Sequence, residues 1–458
     1  MSEIPGYSRY ETILAAYTLL STIAIKANYS KEIITKCWLK LQNQYPYLYD
    51  YTTIVHRENE VNDYSDNVPL EFQSYENLTV QENMDKLTDN LSKEIIQPPH
   101  SGKKNSLLAY TKFHLINDVE TTYTLFSLYT SHSRTDLKSI TFLMNSFLSL
   151  LENDKEITYP MESIYPTLVE KNLIPAVEER EALIKKYFNY KCPLNFDYTS
   201  IKNNIQLSEK EKIIYEEELK HHEEPTYFIS RTMKYTASEM KKILEFCKKH
   251  ELSVQALLDS AYLKAGLEFF NSNIEEADVV NFQVIFDHRQ ASVGIEKCIG
   301  NFPEAAYPYL PISYSKKSVF EIAKVLTEKI KLLSPPNSSS LYSDTFNRYR
   351  IECYHVSNGE YAINFSFSAS NLGRFKCFNE STPEIKKKLI DFTFLAGSQY
   401  PLPNTVKAVS SHMYGLFDGS CNHTLHFPYA VIYSPYIIKF LGRVKEIMLN
   451  CTSDHLSS

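Results

Sequence analysis

The spacing of apolar residues changes along the chain and marks out its elements. Ile34, Cys37, Trp38 and Leu41 recur at i, i+3, i+4 and i+7, with Ser30 ahead as a cap and Pro46 behind, and this spacing predicts a helix. Residues 106–131 read as a hairpin, in which SLLAYTKFHLI and TTYTLFSLYTS are strand-like and the turn lies around Asn117-Asp118. A helix is expected from Ser139 to Leu151, with Ile140, Leu143, Phe147 and Leu151 inward. From about 175 to 225 the chain becomes charged and helical (EEREALIKKYF, SEKEKIIYEEELKHHEE), the character of a linker. The second half restarts with a capping box, Thr236 and Glu239, ahead of an expected buried stripe of Met240, Leu244 and Cys247. A second helix follows from Ser253 to Phe270, and FQVIFDHR reads as a buried strand. The expected organisation is a first lobe over 1–175, a linker over 176–225 and a second lobe over 226–458. Both lobes are α/β, and the groove between them is the natural place for a ligand.

Composition narrows the function. With 458 residues, 43% hydrophobic and 22% charged, the chain can bury a large core and is not mainly disordered. A net charge of −7 argues against nucleic acid as a partner. Only 11 residues are Gly, and neither GxGxxG nor GxxxxGK[ST] occurs, so dinucleotide-fold and phosphate-loop readings lose support. The 34 Tyr and 25 Phe read as a compositional bias rather than a stacking surface. The eight Cys include no CxxC pair, and the first residues lack a basic and apolar leader, so a reducing cytosol is expected. His221 and His222 are adjacent but lack companion ligands, and a solvated face is favoured over a metal site. The uncharged run from Thr12 to Ile25 falls short of the ~18–20 residues that span a bilayer. Near the C-terminus, Ile437, Leu441, Val444 and Met448 share one helical face. Packing on the chain's own lobe is favoured there over docking on a membrane.

The candidate chemistry lies in SHSRTD, where His132 and Asp136 form H-x-x-x-D between a strand and a helix. The near-neutral pKa of an imidazole at a strand end suits a general base. The pattern occurs a second time as His114 and Asp118, but inside the hairpin, where Asp118 is expected to hold the turn.

Further segments carry a resemblance. FDHR (Asp287, Arg289), IGNFPEAAYP (from Ile299 to Pro308) and FSASNLGRF (Ser370, Asn371, Leu372, Gly373) follow SHSRTD in the order and spacing seen in the HxxxD acyltransferase superfamily. That superfamily includes chloramphenicol acetyltransferase, peptide-synthetase condensation domains, plant acyl-CoA-dependent acyltransferases and fungal alcohol acetyltransferases. ETILAAYTLL, NQYPYL and HELSVQALLDSAYLKAG resemble the fungal alcohol acetyltransferases most, and the likeness runs from about residue 7 to 450. Three departures stand out. Leu137 follows the motif Asp where Gly is common, which implies a turn that favours Gly. Ser131 replaces a frequent second His, and the plant D-F-G-W-G segment has no counterpart.

The resemblance implies two chloramphenicol-acetyltransferase-like lobes with mixed sheets and a tunnel at their interface. It implies acetyl transfer from acetyl-CoA, a co-substrate rather than a bound cofactor, to the hydroxyl or amine of a mostly apolar acceptor, with no metal. His132 is then the general base. Asp136 pairs with Arg289 to hold the loop, Asp287 being a competing partner, and Ser370 or Asn371 serves the oxyanion or the substrate unless that segment is only a turn. The implied state is a cytoplasmic monomer, with peripheral contact to endoplasmic reticulum or lipid droplets as an option. Two alternatives remain: a catalytically degenerate binding protein of the same fold, which Leu137 would favour, and a condensation-type acyltransferase using a carrier-bound thioester.

Overall fold

A computed structural model describes residues 17–48, 68–73, 78–96, 106–132, 135–161, 194–220, 228–287, 289, 296–300, 303–306, 308–334, 367–374, 383–398, 410–416, 418–428 and 433–454. His221 and His222 lie outside them, as do Cys192, Cys353 and Cys377.

The first half builds a mixed sheet from β1 (Tyr17–Ile25), β2 (Leu70–Glu71), β3 (Ser106–Leu115) and β4 (Asp118–Ser131). Alternation along β1 sends Leu19, Ile23 and Ile25 to one face and Leu20 and Ala24 to the other. The first face is covered by α1 (Lys31–Gln44) and α3 (Leu137–Asn153), the second by α2 (Val80–Ile96). Ser30 caps α1, accepting from the Ile33 amide at 3.3 Å, and Ile34, Cys37, Trp38 and Leu41 are its buried stripe. In α3 the inward positions Ile140, Leu143, Phe147 and Leu151 are buried. The β3–β4 hairpin turns at Ile116 and Asn117. Asp118 opens β4 and accepts from the Tyr123 hydroxyl at 2.8 Å, while His114 is exposed on β3.

A charged helix, α4 (Glu209–Lys220), buries none of its residues and leads to the second half. There α5 (Ala237–Lys249) follows β5 (Phe228–Tyr235) and carries the Thr236–Glu239 capping box. Its buried stripe is Met240, Ile243, Phe246 and Cys247. Leu244 is 52% exposed, because the lobe core meets the helix one position earlier than the i, i+4, i+7 stripe assumed. Helix α6 (Val254–Phe269) is buried nearly all round and forms the centre of the lobe. Apart from a two-stranded pairing of Phe196–Asp197 with Asn271–Ser272, the remaining described strands are β6 (Val279–Asp287), β7 (Pro303–Ala306), β8 (Tyr309–Pro311), β9 (Phe367–Arg374), β10 (Leu389–Ser398), β11 (Ser410–Gly415) and β12 (Cys421–Pro428), with helix α7 (Val319–Leu333) before β9 and α8 (Ser434–Asp454) last.

The second sheet runs β8-β6-β9-β11-β12-β5, with β7 paired to β6. Strand β10 does not join it. It crosses to the first sheet, giving the order β10-β1-β4-β3-β2, and pairs antiparallel with β1 from Tyr17↔Ser398 onward. The fold is therefore two mixed α/β lobes, the second lending a strand to the first.

In α8, Ile437, Leu441, Val444 and Met448 all lie in the core of the second lobe. Arg443 reaches Glu268 at 2.6 Å, so this apolar face is covered by the lobe itself. Among the described residues no helix is long and apolar enough to cross a membrane, and no His, Cys, Asp or Glu cluster could hold a metal ion.

Candidate active site

His132 follows the last residue of β4 and precedes the first turn of α3. Its Nδ1 lies 2.7 Å from the Thr135 carbonyl oxygen, a bond in which the ring N–H donates. This assigns the tautomer with the proton on Nδ1 and the lone pair on Nε2. Thr135 is itself held, its hydroxyl donating to the Ser131 carbonyl at 2.7 Å and lying 3.0 Å from the Thr130 hydroxyl. The residue is half-buried and so keeps some accessible surface. Removal from water pushes its pKa below 6.5. The Thr135 bond and the Asp136 charge oppose this without reversing it.

Asp136 is the N-cap of α3, accepting from the Ser139 amide at 2.8 Å. Its extended backbone hands over directly to the helix, so Leu137 is the first helical residue, buried against the first-lobe core. No left-handed turn is needed there: among the described non-Gly residues only Asp154 and Glu251 have positive φ. The expectation that Leu137 occupies a turn favouring Gly is thus corrected, because the capping Asp makes the change of direction instead.

The structure brings Asp136 and Arg289 together from opposite lobes. Arg289 donates through its two terminal nitrogens to the two carboxylate oxygens, at 2.6 and 3.0 Å, and its side chain is 1% exposed. Its remaining donors are also used, Nε on the Cys298 carbonyl at 3.0 Å and a terminal nitrogen on the Ser139 hydroxyl at 2.8 Å. Asp287 also accepts from Arg289, at 3.1 Å, and takes Lys138 at 3.0 Å. Ser139 ties the lobes a second time, donating to the Gly300 carbonyl at 2.7 Å and accepting from its amide at 2.9 Å. Burial works to raise the Asp136 pKa, but the Arg289 charge and the bonds from Arg289 and Ser139 win, holding it below its usual value. The pattern alone did not single out Ser139, although its place three residues after a capping Asp was a signal.

Ser370 and Asn371 stand in strand β9, not in a free turn. The turn comes only at the end of the strand, where Gly373 has φ +67° and its amide donates to the Asn371 side chain at 3.0 Å. Gln255 of α6 clamps the backbone on both sides of Ser370. It donates to the Ala369 carbonyl at 2.9 Å and accepts from the Asn371 amide at 2.8 Å. Phe367 and Ala369 enter the second-lobe core, whereas Leu372 packs on the first-lobe core. Alternation therefore points Ser370 towards the first lobe and Asn371 towards α6.

One further residue belongs here. Strand β11 runs parallel to β9 with His412 opposite Ser370. Its Met413 lies in the second-lobe core and its Tyr414 in the first, so His412 shares the face of Ser370. The ring is buried, and its pKa is pushed down to about 3, first by loss of water and then by the nearby charge of His132. The signal in the sequence was a His at an alternate position of the strand SSHMYG.

No protein-family model and no curated protein sequence matches the chain, whereas solved structures match over nearly all of it. TRI3 trichothecene 15-O-acetyltransferase from Fusarium sporotrichioides superposes with a TM-score of 0.63 at 12% identity, over 95% of this chain and 92% of that one. SgcC5 from Streptomyces globisporus gives 0.60 at 11% identity, over 98% and 99%. The EpoB cyclization-docking bidomain from Sorangium cellulosum gives 0.60 at 11% identity, over 95% and 80%. These likenesses establish a shared two-lobed fold.

Proposed function

We propose that this chain is an acyltransferase of the HxxxD superfamily, closest to the fungal alcohol acetyltransferases, that moves an acetyl group from acetyl-CoA to the hydroxyl or amine of a mostly apolar acceptor. The observation that carries the reading is the state of His132. Its Nδ1 proton is committed to a backbone carbonyl, its Nε2 holds the lone pair, and its loop is locked by the Asp136–Arg289 fork between the lobes. Nε2 takes the proton of the acceptor as the acceptor oxygen or nitrogen attacks the thioester carbonyl. The carbonyl electron pair moves to oxygen. When it returns, the C–S bond breaks and the sulfur leaves with the proton from Nε2, so no acyl-enzyme is formed. The Ser370 hydroxyl, aimed at the first lobe, supports the oxyanion. Asp136 does not act on substrate, because both of its oxygens are engaged by Arg289.

A fold neighbour that is itself an O-acetyltransferase supports this reading. The degenerate binding protein loses its main support, since Leu137 fits its helix without strain. A condensation-type reaction, which would use a carrier-bound donor, has support from other fold neighbours, the EpoB bidomain and the condensation domain of the polyketide synthase MokA among them. We also propose a cytoplasmic monomer, with any membrane contact made by a surface other than the buried stripe of α8. The test is release of CoA from acetyl-CoA in the presence of a panel of long-chain alcohols and amines. His132→Ala should abolish release while leaving the melting temperature unchanged. Full activity in that variant, or a wild type inert with every acceptor, would defeat the proposal.

A further inference from the structure

The mechanism so far uses one imidazole, yet a second faces the same region. His412 lies in register with Ser370 on the neighbouring parallel strand and projects from the same face. It is 6% exposed, and a charge on His132 is felt at its ring. A buried imidazole placed only for packing could be replaced by any apolar ring. This one turns towards the first lobe beside Ser370, whose flanking backbone Gln255 clamps on both sides. On the other face of the sheet, His423 bonds the Tyr262 hydroxyl at 2.8 Å within the second-lobe core. The two rings therefore do different work.

We propose that His412 is a second catalytic residue, a neutral imidazole that donates an N–H to the oxyanion of the tetrahedral intermediate alongside the Ser370 hydroxyl. The inference rests on the acyl-transfer reading and deepens it. The donor must be neutral for a physical reason. A cationic ring beside His132 would oppose the imidazolium that forms there when the acceptor proton is taken. A neutral ring polarises the carbonyl without that penalty. Deep burial and the neighbouring His132 both keep His412 uncharged through the working range of pH. The step adds no proton to the balance. His132 takes the acceptor proton and returns it to sulfur, while His412 keeps its own throughout. The attacking group thus meets a base on the first lobe and two donors on the second.

The experiment compares His412→Phe and His412→Gln with wild type, using acetyl-CoA and the best acceptor of the panel. Phe fills the space without a donor, and Gln restores an N–H. Phe should lower kcat by on the order of 10²-fold, as loss of one oxyanion donor does, with KM for acetyl-CoA changed by less than about threefold. Gln should recover at least about tenfold of that loss, with the acid limb of the pH–rate profile where wild type has it. Equal losses in Phe and Gln that track their melting temperatures would mean a packing role and overturn the inference alone, as would a Phe variant within about threefold of wild-type kcat. A wild type that releases no CoA with any acceptor overturns the parent reading, and this inference with it.

Discussion

At the scale of single residues, the arrangement around His132 separates two jobs that one side chain could not do well. A base must have its lone pair available at the working pH, and it must not drift. Thr135 supplies the second condition, its carbonyl accepting a hydrogen bond from Nδ1–H, and partial burial supplies the first by pushing the ring pKa below 6.5. The sign follows directly. In the proposed mechanism neutral His132 is the active form, and a depressed pKa keeps it neutral to lower pH than a solvated imidazole. Plotted against pH, kcat/KM should therefore fall on the acid side with a midpoint below 6.5. A midpoint at or above ~7, outside the range of a desolvated ring, would show that some other group limits the reaction. The same residue also shows what the sequence carried. H-x-x-x-D named both His132 and Asp136, but it occurred twice. Only the chain context, a strand end before a helix rather than the middle of a hairpin, set the pair apart from His114 and Asp118.

At the scale of elements, α3 is held at its first turn by a residue 153 positions away. Asp136 caps the helix with one oxygen and meets Arg289 with both, so the loop bearing His132, the start of α3 and the end of β6 form one unit. Replacing Asp136 with Asn removes the anion that meets Arg289 at both terminal nitrogens and leaves the buried guanidinium only Asp287, at 3.1 Å. The expected cost is ~3–5 kcal/mol, read as a lower melting temperature, with the surviving folded fraction keeping the acetyl transfer proposed above. The pH dependence follows from the depressed Asp136 pKa. Its contribution is fully present above the unfolded value of ~3.9 and is lost as pH falls through the folded value below that. Acid should therefore unfold wild type more steeply than the Asn variant in that range. Normal melting of the variant would remove the structural role. Local elements were legible because caps and stripes are written within one or two turns: Ser30, the Thr236–Glu239 box and the stripe of α1 all show this. Strand β10 entering the first sheet was not, nor was His412 beside Ser370. Register between distant strands is set by pairing and packing, which no local period encodes.

At the scale of the whole molecule, the lobes and the connecting helix meet at a second charged seam, away from the candidate site. Arg231 of β5 binds Asp89 of α2 at 3.0 Å and Glu218 of α4 at 3.3 Å, and the backbone amide of Ser434, at the start of α8, donates to Glu218 at 2.9 Å. One guanidinium thus serves several carboxylates, for Asp85 stands one helical turn from Asp89 and carries its own bond from Gln81 at 2.8 Å. Burial raises the Asp85 pKa to about 7; the Arg231 charge pulls the other way, and Asp89 adds to the rise. Asp85 is therefore held in a site that prefers it protonated. The stability gained from that proton is fully present below the unfolded value of ~3.9 and is lost as pH rises through about 7. Asparagine has the shape of the protonated acid and never needs the proton. Asp85→Asn should leave melting nearly unchanged near pH 4, raise it increasingly up to about pH 7, and hold the gain beyond, since wild type is then ionised in both folded and unfolded states. A gain of about 1 kcal/mol would appear at pH 8 as a rise on the order of 2–4 °C for a lobe of this size. Melting that is lower at pH 8 than in wild type would mean that the Asp85 charge helps to hold Arg231. The seam would then depend on all its carboxylates being ionised, and the lobes would be joined most firmly in base rather than near neutrality.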